Sequence, residues 1–135
     1  ISTPFSQRGC DFPPWLQVVL ENEATVTTDV SPTVPRVGLA LALPAATELA
    51  RWHGAGPHEN YPDRCCGAPV ALHEEAVDRL PTPYIVPSDS GHRGQLRWLE
   101  LTDGDGCGVR VCGSSRFGFS ASRSSMADLE AATHT

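Results

Sequence analysis

The sequence predicts an all-β domain of stacked antiparallel sheets, and three observations carry that prediction. Glycine and proline, 12 of each in 135 residues, punctuate the chain at short intervals. The apolar runs between them are of strand length and show little helical periodicity, a pattern that favours a β-sandwich. Toward the C-terminus, LRWLELTDGDGCGVRVCG places two alternating runs around a Gly/Asp turn, which reads as a hairpin.

Taken in order, residues 1–34 form a loosely ordered N-terminal segment of the same domain, broken by Pro4, Pro13, Pro14 and Pro32. Within it WLQVVLE and ATVTTDV have the composition of short strands. VGLALAL, residues 37–43, is apolar on both faces and reads as a buried strand, and ELARWHG, residues 48–54, follows as another. VALHEEAVDRL, residues 70–80, has spacing compatible with a turn or two of helix. TPYIVPSDSGHRG is a loop of turn formers. In the hairpin, the period-2 rule places Leu96 and Trp98 opposite Arg97 and Leu99. RFGFSAS reads as a last strand, and Ser125 with Asp128 three residues on resembles a capping box opening a short helix.

Bulk properties exclude several classes. The net charge of -6 leaves no basic face for a phosphate backbone, so no nucleic-acid partner is expected. No window approaches the roughly 18 apolar residues of a membrane span, and the first residues lack the pattern of a secretion signal. A cytoplasmic location follows as the expectation. The chain starts at Ile1 and not at Met, as a processed product or an excised piece would. Cys10, Cys65, Cys66, Cys107 and Cys112 are odd in number and include an adjacent pair. They suit free thiols better than a disulfide framework, and their spacing does not suit zinc.

The richest chemistry lies in GAGPHENYPDR, residues 54–64, where His58, Glu59, Tyr61, Asp63 and Arg64 could support acid–base work. Pro57 and Pro62 bracket the group as a rigid loop, in which charged side chains more often satisfy backbone or one another. Asp63 and Arg64 are expected to form a buried or half-buried pair. TDGDGCG has Asp103, Asp105 and Gly106 at calcium-loop spacing, but it joins two strands and lacks the closing glutamate, so it reads as a turn. No metal site is expected. Trp15, Trp52 and Trp98 could stack on sugars, though strand context makes core burial the commoner fate.

The run PRVGLALALP…ARWHGAGPHENYPDR closely resembles the C-terminal, small-chain region (domain 5) of the large bacterial β-galactosidases, family 2 glycoside hydrolases. Trp52, Gly54, Gly56, Pro57, Glu59, Asn60, Tyr61, Pro62, Asp63 and Arg64 match the strand end and corner of that family. Thr82, Pro83, Tyr84, Ile85, Val86, Pro87, Ser88, Asp89, Gly91 and Arg93 match a second motif, and Phe119, Ser122, Ser125, Asp128 and Leu129 a third. Ser90 and Cys65-Cys66-Gly67 depart from the family pattern.

The resemblance spans residues 35–135 and implies part of an antiparallel β-supersandwich of the galactose mutarotase kind, with a short helix near the C-terminus. It implies a parent enzyme that hydrolyses terminal β-D-galactosides with retention, through two glutamates about 5 Å apart on a (β/α)8 barrel. Neither the barrel nor the magnesium and sodium ions of the family belong to this chain, so no catalytic residue, metal or cofactor is expected here. The segment then covers the substrate site and is inactive alone. Pro57, Asn60, Tyr61, Asp63 and Arg64 form a structural corner, with His58 and Glu59 as candidate substrate contacts. Expected partners are the remaining domains of the parent, a β-galactoside and, by analogy, further copies in a homo-oligomer. As the chain stops near a helix of the family domain, it is expected to be an interior segment.

Two other readings compete. A stand-alone carbohydrate-binding or mutarotase-like module would need a His acid and a Glu base, for which His58 or His92 with Glu59 or Glu100 are the candidates. A structural interaction domain would assemble through exposed sheet edges.

Overall fold

The computed structural model describes residues 17–21, 23, 36–86 and 88–132. Two compact units are distinguished, Ile1–Ala42 and Leu43–Thr135. In the first, the described residues form no helix or strand, and Val18, Val19, Val37, Leu39 and Leu41 are exposed. The strand expected over 37–43 is therefore corrected. A strand exists only through a paired neighbour, and this run has no ladder partner among the described residues. Of WLQVVLE, residues 17–21 are likewise not in a strand; ATVTTDV lies outside the described residues.

The second unit is a four-stranded antiparallel sheet in the order β2-β1-β3-β4, formed by β1 (Leu49–Ala55), β2 (Val70–Ala76), β3 (Arg93–Thr102) and β4 (Gly108–Phe119). The described architecture is thus all-β, with one 3-10 turn, Val77–Arg79, and one helix, α1 (Met126–Ala131). β1 is central because its alternation supplies one fully apolar face. Ala50 and Trp52 are both 0% exposed, and Gly54 sits so close to Leu96 that a Cβ there would lie 2.9 Å from its side chain. Ala50, Trp52, Val77, Leu80, Leu96, Leu99 and Phe119 form one buried cluster. The Trp52 indole packs edge-on to Phe119 at 5.6 Å between ring centroids and donates its N–H to the Ala55 carbonyl at 3.0 Å. Its one polar atom is therefore satisfied.

Within residues 70–80, helix is confined to the 3-10 turn Val77–Arg79; Val70–Ala76, expected to share it, is β2 instead. Val70 and Leu72 point to the outer face of an edge strand, while His73 and Glu75 point inward. The apolar pattern is thus inverted for a strand, which leaves helix as the better periodic fit. Glu75 tolerates its inward position by pairing with Arg79 at 2.9 Å and accepting from the Ala76 N–H at 2.9 Å.

The hairpin forms as the sequence predicts. At its turn the Asp103 carboxylate accepts from the Asp105 and Cys107 N–H groups at 3.0 and 2.9 Å, and Gly106 takes φ +80. That carboxylate serves the backbone, as a turn aspartate does. The period-2 reading of β3 needs correction. Leu96 and Leu99 both reach the core, because the ladder slips between Leu96 and Trp98, whose partners are Phe117 and Cys112. A bulge resets the parity of side chains beyond it. The same slip lets RFGF continue β4, so no separate last strand exists.

α1 opens on the expected capping box. Ser125 Oγ accepts from the Asp128 N–H at 3.1 Å, and the Asp128 carboxylate accepts from the Ser125 N–H at 2.9 Å. Hydrogen bonds from the Ser125 hydroxyl and then its backbone hold the Asp128 carboxyl below the usual range. With one capping oxygen removed, Ser125→Ala is expected to speed amide exchange at Leu129 severalfold, read by NMR. An unchanged rate would contradict this role.

Candidate functional site

The corner begins where β1 ends. Gly56 lies against Trp52 and His73, where a Cβ would meet both rings at about 3 Å, and it donates its N–H to the Pro69 carbonyl at 3.3 Å. The Gly56–Pro57 peptide bond is cis. From there the loop is stapled to the start of β3. Asn60 is buried; its N–H donates to the His92 carbonyl at 2.8 Å, its Oδ1 accepts from the Gly94 N–H at 2.9 Å, and its Nδ2 donates to the His58 carbonyl at 3.1 Å. A buried amide so placed fixes two chain segments in register.

Glu59 sits at the centre of the corner, its side chain only 12% exposed. One oxygen accepts from Arg64 at 3.2 Å and from the Tyr84 hydroxyl; the other accepts from the Gly91 N–H at 2.8 Å. Burial alone would raise its pKa, but bonds from Tyr84, Gly91, Thr82 and Arg64 outweigh it and lower the carboxyl to about 2. The same bond raises the Tyr84 hydroxyl. Gly91 is required where it stands: it takes φ +73, and a Cβ would come within 2.5 Å of the Leu80 carbonyl oxygen.

The depressed carboxyl has a pH signature. A group whose folded pKa lies below its unfolded value stabilises the fold above the unfolded value, and that contribution fades as pH falls through the folded one. Glu59→Gln is therefore expected to cost about 2 kcal/mol at pH 7, the scale of hydrogen bonds to a charged group. The gap to the wild type should close as pH drops from about 4.5 toward 2, read by urea unfolding at each pH. A gap that persists at pH 2 would contradict the assignment.

The other corner residues sit as follows. The Pro57 carbonyl accepts from Arg93 Nε and Nη2 at 3.2 and 3.1 Å. The Tyr61 ring meets His92 edge-on at 5.1 Å, and the Arg64 guanidinium lies 4.4 Å over it. Asp63 is exposed and 3.9 Å from Arg64, so the buried Asp63–Arg64 pair is corrected: Glu59, reached across the loop, is the closer acid. His58 is exposed and opens with Pro57, Glu59, Glu75, Arg79 and Arg93 onto a groove of about 490 Å³.

Three participants were not singled out by chemistry in the sequence: Tyr84, Gly91 and Arg93. Only the match of Tyr84, Gly91 and Arg93 to the second family motif pointed toward them. Of the acid–base candidates for a stand-alone epimerase, Glu59 is tied as above. Glu100 lies on the other face of the sheet from Trp52, 3.1 Å from Arg110 and 4.0 Å from Arg51. Trp52 is core; Trp98 is half-buried beneath Arg110 at 4.7 Å, and Trp15 lies outside the described residues. Cys65, Cys66, Cys107 and Cys112 are free and exposed, and Cys10 is not among the described residues. Among the described residues no group of three or more His, Cys, Asp or Glu is placed to hold a metal ion. No described helix is long and apolar enough to cross a membrane.

An antiparallel sheet with a heavily hydrogen-bonded acidic corner defines an all-β domain in which the prominent carboxylate is already bonded within the fold. The chain belongs to the beta galactosidase small chain family, whose profile matches residues 16–135, so the likeness extends into the N-terminal segment as well. It is 44% identical over 119 residues to a beta-galactosidase of Vibrio cholerae, covering 88% of this chain and 11% of that protein. Beta-galactosidases of Photobacterium profundum and Priestia megaterium are 39% and 34% identical, with 86% and 83% of this chain covered. The chain spans 11–12% of the length of these relatives.

Proposed function

We propose that this chain is the part of a β-galactosidase that walls the substrate site, in an enzyme that hydrolyses terminal β-D-galactosides. The cleaving pair of glutamates, acting with retention, and the magnesium and sodium ions belong to a barrel outside this chain. In this reading the four strands are one portion of a supersandwich, the parent works in the cytoplasm, and the partners of the segment are the other domains of that enzyme. The relatives named beta-galactosidase support the reading that the segment is part of such an enzyme.

One observation carries the division of labour. Both oxygens of Glu59 are engaged by Tyr84, Arg64 and Gly91, and its carboxyl is lowered to about 2. A general acid or base needs a pKa near the working pH, and Glu59 is held far from it. Glu59, Asn60 and Arg64 therefore tie the corner, while His58 is exposed and lines the groove together with Arg79.

The test uses the whole β-galactosidase that carries this segment. Glu59→Gln with Arg64→Met should lower the melting temperature while kcat/KM of the folded enzyme stays within about twofold. Loss of turnover in a folded variant would sink the reading. His58→Ala should raise KM severalfold at constant kcat; an unchanged KM removes His58 from the sugar site.

A further inference from the structure

Among the described residues, the sheet face that carries Trp52 is built into the core, and the opposite face carries exposed side chains in a pattern of its own. Across the strands in spatial order it presents Glu74, Arg51, Glu100 and Arg110, one residue per strand in a single cross-strand row. The signs alternate, and neighbours are ion-paired at 3.0, 4.0 and 3.1 Å. These side chains are 57%, 45%, 25% and 55% exposed. Surface pairs of this kind contribute little to folding, so the order of the signs matters more than their number. On the same face Leu72 and Val70 are 61% and 45% exposed, apolar area beside a charge row that neutralises itself.

We propose that this face docks against the same face of a second copy of the chain, about a two-fold axis that lies between the sheets and runs parallel to the strands. That operation reverses the row. Glu74 then meets the partner's Arg110, Arg51 meets the partner's Glu100, and the two reciprocal contacts complete a set of four attractions. A two-fold axis along the row would instead set every charge against itself. The alternating order therefore selects one axis out of two, and it fits aligned packing of two sheets about 10 Å apart. With strands about 4.8 Å apart, the paired rows cover on the order of 400 Å² per copy, below a standard interface. The dimer is weak, with a dissociation constant on the order of 10–100 µM. Nothing in this contact involves the corner at Glu59, so its failure leaves the β-galactosidase reading untouched.

The experiment exploits the sign pattern. Sedimentation equilibrium of the 135-residue chain should show its mass rising from one copy toward two over micromolar to millimolar concentrations. Arg51→Glu and Glu100→Arg should each place like charges in register across the axis and raise the dissociation constant at least tenfold. Mixed in equal amounts, the two variants should associate again, because each row now complements the other at all four positions. Circular dichroism checks that both are folded; if either is not, Arg110→Glu and Glu74→Arg at the ends of the row carry the same logic. A wild type that stays monomeric at about 1 mM overturns the proposal and leaves the face to another segment. So does association that ignores the substitutions, which would point to the strand edges, or a mixture of folded variants that fails to pair.

Discussion

Trp52→Ala is expected to cost about 3–5 kcal/mol, the range for deleting a fully buried aromatic. Its side chain is 0% exposed and stands at the middle of the cluster formed by Ala50, Val77, Leu80, Leu96, Leu99 and Phe119. Three consequences add. The cavity is bounded by strands that pair on both sides of β1 and cannot collapse without breaking the ladder. The edge contact to Phe119 and the tilted contact to His73, at 5.6 and 5.3 Å, both vanish. The Ala55 carbonyl, where the corner begins, loses the indole donor. Against the roughly 5–15 kcal/mol that holds an ordinary domain, such a loss leaves a marginal fold. Urea unfolding followed by circular dichroism measures it; a cost below about 1 kcal/mol would show that Trp52 is not the centre of the core.

Arg93→Leu is expected to be nearly as damaging, at about 3 kcal/mol, for a different reason. Arg93 is 4% exposed and has no carboxylate at salt-bridge distance among the described residues. Its guanidinium donates to the carbonyls of Leu80 and Gly91 at 2.6 and 2.7 Å and twice to Pro57. One side chain thus joins the corner, the 3-10 turn and the loop before β3. Burial lowers its pKa, outweighing the opposing fields of Glu59 and Glu75. Leucine fills part of the volume but strips partners from three carbonyls. Arg93→Lys should recover only part of the loss, since an ammonium lacks the planar fork that reaches three acceptors at once. Thermal unfolding of both variants checks the order; a lysine variant as stable as the wild type would contradict the fork geometry.

Several elements were legible in the sequence because local chemistry and tertiary context agree there. Ser125 and Asp128 cap α1 by their own spacing. The Gly/Asp turn closes the β3–β4 hairpin through Asp103 and Gly106. β1 alternates because one of its faces is core. The misreadings fall where context overrides pattern. β2 is an edge strand that turns Val70 and Leu72 outward, so its burial runs against its hydrophobicity. Leu96 and Leu99 share the core because a bulge lies between them, and nothing in LRWL announces a bulge. At the corner, residue types gave the pairing of Arg64 with an acid, but not that Glu59 would outcompete Asp63. That choice depends on Tyr84 and Gly91, brought in from a distant loop.

The most direct measurement is an assay of the purified 135-residue chain, confirmed as folded, with a chromogenic β-galactoside and, separately, for interconversion of galactose anomers. The account predicts neither release of the chromophore nor acceleration of the anomers above buffer, because Glu59 is locked within the corner and the cleaving glutamates reside elsewhere. Turnover of either substrate that disappears in Glu59→Gln would contradict it.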